Sequence, residues 1–260
     1  MDSPYLFGDF DAAEFCLIAF FLFFAGLIVY LRREDRREGY PLEDEVTGKL
    51  EPLGGLLFTA PPKTFLLPHG HGTRTFPNAG NRDMRPLAAR RSATSEGSPI
   101  EPTGNPLLDG VGPGAFAERP RYPDLTNDGR PKIVPLRVAA DFHLSPEDPD
   151  PRGMAVLGAD GHRAGVVSDV WVDRSEVLIR YLEVKVDGEA GNSVLLPMTM
   201  AVVSGSRRTV SVRAILAAQF GAVPALENPE QITLYEEERV MGYYGGGHLY
   251  ATRDRQEPWL

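Results

Sequence analysis

One unbroken apolar run dominates the hydropathy pattern of the N-terminal part of the chain. Residues 15–31 (FCLIAFFLFFAGLIVYL) contain no charged side chain. As a helix rising about 1.5 Å per residue, this run is roughly 25 Å long, near the lower limit for crossing a hydrocarbon core. Ala12 and Ala13 extend it by part of a turn. The pattern therefore predicts a transmembrane helix over residues 12–31, with residues 1–11 outside it.

The flanks of the apolar run distinguish a retained anchor from a cleaved signal peptide. A signal peptide begins with basic residues and ends at a small-residue cleavage site. Here the first 14 residues carry Asp2, Asp9, Asp11 and Glu14 but no Lys or Arg, and the run is followed by RREDRRE. We therefore expect a retained anchor. The alternative of a buried helix in a soluble protein is disfavoured, because such helices are rarely apolar on every face.

Four arginines directly after the run predict its orientation. Arg32, Arg33, Arg36 and Arg37 form a basic flank, and basic flanks stay on the cytoplasmic side of bacterial membranes. The N-terminus should therefore be periplasmic and residues 32–260 cytoplasmic. We also expect these four guanidinium groups to contact anionic phospholipid head groups.

Proline sets residues 32–150 apart from the rest of the chain. Of the 23 prolines, 18 lie between residues 40 and 151, where they exclude long helices and central strands. Apolar residues such as Phe58, Phe76 and Phe116 recur among them. We expect an extended segment with a few short strands. It either lies against partner subunits or forms a loop-rich subdomain of its own.

Short apolar alternations replace this pattern in residues 151–260. Leu182, Val184 and Val186 alternate with charged residues, and the dipeptides Asp160-Gly161 and Asp187-Gly188 are typical of hairpin turns. Five short strands with Gly-containing turns indicate a small antiparallel barrel or sandwich. The predicted strands are residues 154–158, 165–172, 178–186, 194–196 and 209–214.

A C-terminal helix is predicted after the strands. Asn228 is a candidate N-cap, Pro229 would be the first helical residue, and Gln231 lies three residues beyond the cap. Further along, Gly242, Gly245 and Gly246 imply that another backbone approaches closely.

Charge and motif content exclude several classes of protein. The net charge of −9 without a dominant basic stretch argues against a nucleic-acid binder. The single cysteine, Cys16, excludes an intrachain disulfide or a Cys-rich metal site. His69 and His71 have chelating spacing, but no carboxylate or cysteine is near them in sequence, so we expect no metal there. No nucleotide-binding or hydrolase motif is present.

Seven collinear runs resemble a known family. They are YLRREDRREGYPL (30–42), PKTFLLPHG (62–70), PTGNPLLDGVGP (102–113), DPRGM (150–154), VSDVWVDRSE (167–176), RYLEVKV (180–186) and ITLYEEERV (232–240). In this order and at these spacings they resemble the H subunit of the purple-bacterial photosynthetic reaction centre, over essentially the whole chain.

The resemblance implies a mainly β fold and a set of partners. It implies one transmembrane helix, an extended proline-rich segment lying on partner subunits (32–150), and a small antiparallel β-barrel, the PRC-barrel, with a C-terminal helix (151–260). It further implies a bacterial photosynthetic membrane and two partner subunits, L and M, with light-harvesting subunits as further candidates. Bacteriochlorophyll, bacteriopheophytin, quinone and iron would be held by the partners and not by this chain.

The resemblance also implies a proton route to a secondary quinone. Asp173 and Glu176 match internal proton-route carboxylates of the family, and Arg180 matches a nearby cation. Physically, buried quinone reduction needs ionisable groups where an apolar interior would otherwise block protons. In the loop 122–132 some relatives carry histidines, whereas this chain has Asp128 and Arg130 with Asp124 nearby. Asp124 and Asp128 are thus candidate entry residues, although an ordinary surface loop fits this stretch as well.

Two other classes of function remain to be weighed. A membrane-tethered PRC-barrel adaptor would need neither the proline-rich segment nor the carboxylates around residue 173. A membrane-anchored hydrolase would need a nucleophile with its base, or a metal cluster, and neither is recognisable. The sequence therefore favours a non-catalytic subunit of a light-driven electron-transfer complex.

Overall fold

The computed structural model describes residues 5–7, 10–52, 60–78, 80, 83–188 and 192–256, and it divides into two compact units. The first unit is Met1–Met84 with Thr94–Gly97. The second is Arg85–Ala93 with Ser98–Leu260. Each unit is described by itself.

A long apolar helix is the main element of the first unit. It follows a short antiparallel pair, β1 (Tyr5–Phe7) and β2 (Phe10–Asp11). Helix α1 (Ala12–Glu34) has 23 residues, none of them buried. Asp11 caps it by accepting a 2.8 Å hydrogen bond from the Glu14 amide. By length and apolar composition it is the one helix among the described residues able to cross a membrane. The prediction of such a helix is confirmed, and the helix runs three residues past the predicted end.

A short β-hairpin follows α1 in the described part of the first unit. β3 (Lys63–Leu66) pairs with β4 (Thr73–Phe76) as an antiparallel hairpin. Three of the four side chains of β4 and all four of β3 are exposed. The apolar residue Phe58 lies outside the described residues. Such short strands agree with what proline-rich sequence permits, because each proline removes a ladder donor.

The second unit is built on one seven-stranded sheet. Before it come the antiparallel pair β5 (Ala89–Arg91) and β6 (Ile100–Pro102) and the short helix α2 (Pro106–Asp109). The sheet has the order β11-β10-β9-β8-β13-β12, and β7 also pairs with β9. Its strands are β7 (Ile133–Pro135), β8 (Ala155–Leu157), β9 (Arg163–Asp173), β10 (Leu178–Val186), β11 (Ser193–Pro197), β12 (Ala201–Ser204) and β13 (Thr209–Val212).

Alternating side chains of this sheet form the core. Leu182 and Val184 of β10 are fully buried while Lys185 between the apolar positions is exposed, as period-two alternation predicts. Trp171 of β9 is the largest buried side chain. The five predicted strands are all present, to within a few residues at their ends. Two strands of the sheet, β7 and β12, were not predicted.

Two parts of the fold prediction need correction. The sheet is mixed and not purely antiparallel, because β13 runs parallel to β8. In the described residues no pairing joins β11 to β12, so no closed barrel is formed. The label mainly β is also wrong, because in the described part of the chain the helices hold roughly as many residues as the strands.

The C-terminal helix begins later than predicted. Helix α3 is Leu234–Tyr250, and its N-cap is Thr233. Glu236 accepts from the Thr233 amide (2.8 Å) and donates its own amide to the Thr233 hydroxyl (3.2 Å), which is a capping box. Asn228 instead accepts from the Glu230 amide in a local turn. The helix start at Asn228 and Pro229 was therefore wrong.

The predicted close approach at the glycines of α3 is confirmed. A Cβ at Gly242 would lie 2.7 Å from the Gly114 carbonyl oxygen, and one at Gly245 would lie 2.8 Å from that of Pro113. Gly246 faces the backbone of Gly114 in the same way. Helix α3 therefore packs its glycine face directly on the backbone of residues 112–114.

Candidate functional site

The turn between β9 and β10 holds Asp173 in a fixed position. One carboxylate oxygen of Asp173 accepts hydrogen bonds from the amides of Ser175 and Glu176, both at 2.9 Å. This is the local bonding by which an aspartate stabilises a turn. The turn ends at Val177, whose φ of 55° is unusual for a β-branched residue. The side chain of Asp173 is fully buried, which a solvated turn residue would not be.

Two cations surround the other carboxylate oxygen of Asp173. The Arg180 Nε lies 3.2 Å away and the Lys132 Nζ 3.5 Å away. Lys132 reaches this point because β7, which follows it, pairs with the end of β9, where Ile133 is opposite Asp173. Burial by itself raises the pKa of Asp173, but the two amide hydrogen bonds and the Lys132 charge outweigh it and lower the pKa.

The same two cations join Asp173 to two exposed carboxylates. Lys132 is 3.3 Å from Glu176 and 3.7 Å from Asp124, and Arg180 is 3.3 Å from Glu176. The side chains of Glu176 and Asp124 are each 49% exposed, whereas that of Asp173 is 0% exposed. We call Asp124, Lys132, Asp173, Glu176 and Arg180 the carboxylate cluster. It connects solvent-accessible carboxylates to a buried one through shared cations.

Glu237 borders this cluster and was missed by the sequence analysis. It lies in the first turn of α3 and accepts a 3.2 Å hydrogen bond from the Tyr181 hydroxyl. Burial raises the pKa of Glu237 to about 7, and the Asp124 charge adds to this while Arg180 opposes it. Burial and the Glu237 charge also raise the pKa of Tyr181. Among the three consecutive glutamates at residues 236–238, sequence alone does not indicate which one faces the sheet.

Asp128 is not part of the cluster. It accepts hydrogen bonds from the Thr126 hydroxyl and from Arg130 Nε, both at 2.6 Å, within its own turn. These two bonds lower the pKa of Asp128. Within the described part of the chain no hydrogen bond or ion pair connects Asp128 to the other candidates. Of the five predicted proton-transfer residues, the structure thus brings together Asp173, Glu176, Arg180 and Asp124.

The four arginines in the last turn of α1 and just after it have different environments. Arg37 is buried and bonded to Glu34 at 2.8 Å and to the Pro61 carbonyl at 2.6 Å, so protein groups occupy its guanidinium. Arg36 pairs with Glu51 at 3.3 Å. Neither Arg32 nor Arg33 has a carboxylate partner among the described residues. These different environments arise from helix geometry and tertiary packing, which a count of charges along the sequence does not predict.

The carboxylate cluster places carboxylates at different depths in the protein. Over the described ranges no group of three His, Cys, Asp or Glu side chains could hold a metal ion. His69 and His71 lie in a turn and on the exposed or half-exposed surface. Carboxylates at graded depth, with one pKa lowered and one near 7, can pass a proton along hydrogen bonds and bound waters.

Two family models match the chain. A model described as the photosynthetic reaction centre H-chain N-terminal region matches residues 4–138, which is more than half of the chain. A second, the PRC-barrel domain, matches residues 147–216. Asp124 and Lys132 lie in the first region, and Asp173, Glu176 and Arg180 lie in the second. The chain therefore belongs to the photosynthetic reaction centre H-chain family, whose members are non-catalytic subunits of the reaction centre.

Proposed function

We propose that this chain caps the L and M subunits of a reaction centre on the cytoplasmic side, supports their assembly and electron transfer between quinones, and carries protons to the secondary quinone. Membership of the family implies a complex with other reaction centre subunits in a photosynthetic membrane. In this proposal the subunit holds no pigment. Bacteriochlorophyll, bacteriopheophytin, quinone and iron belong to the partners, and light-harvesting subunits are possible neighbours of the complex.

The carboxylate cluster is the observation that carries the proton-transfer role. A fully buried carboxylate is costly and is normally retained only with partners. Asp173 has two amide donors and two cations, and through Lys132 it is tied to Asp124 and Glu176 at the surface. We infer that protons enter at Asp124 or Glu176 and pass through Asp173. Glu237, with a pKa of about 7, is a further carrier that can take up and release a proton at neutral pH.

Asp128 has a smaller role in the proposed proton route. Its two short bonds to Thr126 and Arg130 stabilise its charged form, which makes it a poor proton donor at neutral pH. We keep it as a surface group that can attract protons to the loop, with no direct link to Asp173.

Pigment content tests the assembly role. Affinity purification of the tagged full-length chain from mildly solubilised membranes of its native host should yield a complex with near-infrared bacteriochlorophyll absorption. The reason is that a capping subunit remains attached to the pigment-binding subunits. A colourless preparation under conditions that preserve the reaction centre would support a PRC-barrel adaptor without a photosynthetic role.

The orientation follows from the basic flank of α1. We propose that residues 1–11 are periplasmic and that the chain from residue 32 onward is cytoplasmic. Arg32 and Arg33, and to a lesser degree Arg36, would contact anionic head groups at about 1 kcal/mol per charge. We do not expect Arg37 to contact head groups, because protein groups bind its guanidinium.

Protease accessibility measures this orientation. Protease added to sealed inside-out vesicles should digest the chain beyond residue 40, whereas sealed right-side-out vesicles should protect it. A resident periplasmic protein and a cytoplasmic one serve as controls for sealing. The reverse pattern of digestion would place the N-terminus in the cytoplasm.

A further inference from the structure

Three arginines and two aromatic rings form a cluster in the second unit. The rings of Phe116 and Tyr235 meet edge to face with their centroids 6.0 Å apart. Arg85 lies 4.4 Å over the Phe116 ring and Arg121 lies 4.3 Å over the Tyr235 ring. Arg239 is 5.7 and 5.8 Å from the two ring centres. We call these five residues the arginine–aromatic patch. All five are exposed or half-exposed.

Positive charge in the patch is only partly balanced by neighbouring carboxylates. Arg85 pairs with Glu118 at 3.4 Å. The nearby Glu238 is occupied by Arg119, at 3.1 Å. Arg121 and Arg239 have no ion pair among the residues that the structure describes. The chain as a whole has a net charge of −9, so this patch is a local exception.

Stacking leaves the hydrogen-bonding edges of the Arg121 and Arg239 guanidinium groups available. A ring covers one face of the planar group and holds it in place, while the N–H donors point outward in its plane. A planar fork of this kind binds a carboxylate with two parallel hydrogen bonds. Because the rings fix the side chains in advance, less side-chain entropy is lost when such a bond forms.

We propose that the arginine–aromatic patch is a docking surface for an acidic segment of a partner protein subunit, whose carboxylates bind Arg121 and Arg239. This rests on the proposed function, in which the chain lies against other reaction centre subunits. Charge complementarity identifies the chemistry, since a cationic patch on an acidic protein attracts carboxylates that the rest of its surface repels. Arginine, tyrosine and phenylalanine are also residue types enriched at protein interfaces.

The geometry favours a protein partner over a phospholipid surface. Basic sites for anionic lipids are clusters of about four to eight Lys and Arg close together in sequence. The patch has three arginines from three distant segments, each held against a ring, and this suits carboxylates at defined positions. A membrane surface has no need for such fixed geometry.

Binding to a pigment-containing core tests the proposal. The probe is the detergent-solubilised reaction centre core from which this subunit has been removed, and the full-length chain is titrated onto it. The double variant Arg121→Gln/Arg239→Gln should bind roughly tenfold or more weakly than wild type, with a smaller dependence on salt concentration. Arg121→Lys should have an intermediate effect, because it keeps the charge and loses the fork. Tyr235→Phe keeps the ring and should bind as wild type does.

A matched control and a second probe distinguish the outcomes. Arg207→Gln removes an exposed arginine whose one side-chain hydrogen bond among the described residues is to Ser204, and it should leave binding unchanged. If the double variant binds the core as tightly as wild type does, the proposal is overturned. The second probe is vesicles of anionic phospholipid without the core. The proposal is also overturned if the double variant loses binding to these vesicles but not to the core, since the patch would then be a lipid site. Failure of the wild-type chain itself to bind the core would instead contradict the proposed function.

Discussion

Replacement of Asp173 by asparagine is expected to slow proton-coupled delivery of the second electron to the secondary quinone by roughly tenfold or more, at the low end of what a positioned proton-transfer group contributes. Asparagine keeps the shape and the turn-forming oxygen but removes the exchangeable proton. The first electron transfer should change little, because it does not require full protonation. Flash-induced kinetics of the purified complex measure both steps.

Combining Asp173→Asn with Glu176→Gln tests whether Asp173 and Glu176 lie on one proton route. If protons pass through both, the double variant should slow the second transfer by less than the product of the two single effects. Small weak acids in the buffer should restore part of the rate by carrying protons around the gap. Unaltered second-electron rates in Asp173→Asn across neutral and alkaline pH would remove this residue from the route.

The control variant should have an ion pair of its own but lie outside the cluster. Asp187→Asn meets this need, because Asp187 pairs with Arg163 at 2.8 Å and its side chain is half exposed. Asp160 is less suitable, since it accepts a hydrogen bond from the Ala217 amide and so has a structural role. The near-infrared spectrum of each variant verifies that the complex has assembled, because a buried charge pair that loses one partner can also destabilise the fold.

If Glu237 lies on the same proton route, the rate of the second electron transfer should depend on pH near 7. Its pKa of about 7 means that the carboxyl is mostly protonated below pH 7 and mostly ionised above it. As a proton donor it loses activity when the pH rises through this value, so the wild-type rate should fall there. Glu237→Gln should reduce the rate at low pH and flatten this part of the profile. A profile that keeps its wild-type shape in Glu237→Gln would assign the pH dependence to another group.

Substitution of Gly242 by alanine should destabilise the second unit by about 1–3 kcal/mol, the usual cost of overpacking a well-packed site. An added Cβ would lie 2.7 Å from the Gly114 carbonyl oxygen and 3.2 Å from that of Ala115. Both contacts are to backbone, which cannot move aside as a flexible side chain does. Helix propensity alone predicts the opposite sign, because alanine is favoured over glycine by about 1 kcal/mol within a helix.

Thermal or denaturant unfolding of the detergent-solubilised chain measures the net effect. Met241→Ala is the neighbouring control, since Met241 is exposed on the same helix and its loss should cost little. A Gly242→Ala variant as stable as wild type, or more so, would mean that α3 and residues 112–114 can separate without cost. The close backbone contact would then not be what holds the helix in place.

The sequence predicted the structure correctly where interactions between neighbouring residues determine it. The apolar run at residues 15–31 could become only a long apolar helix, and the alternation of Leu182, Val184 and Val186 required a strand with one buried face. The predicted helix start was wrong because Asn228 and Pro229 resemble a cap, whereas the helix begins at the T-x-x-E pattern of Thr233 and Glu236. This capping box is itself a local signal, so the sequence does contain the correct start.

Sequence determined the long apolar helix, five strands of the seven-stranded sheet, the close backbone approach at the glycines of α3 and the presence of carboxylates in the turn after β9, because each depends on neighbours in the chain or on a recognisable motif. Only the tertiary structure decided that Lys132 bridges Asp124, Glu176 and Asp173, that Glu237 has a pKa near 7, and that Arg37 is buried. Tertiary packing also made the sheet mixed and left it open among the described residues. Burial and charge–charge distance arise from segments far apart in the chain, and no local pattern encodes them.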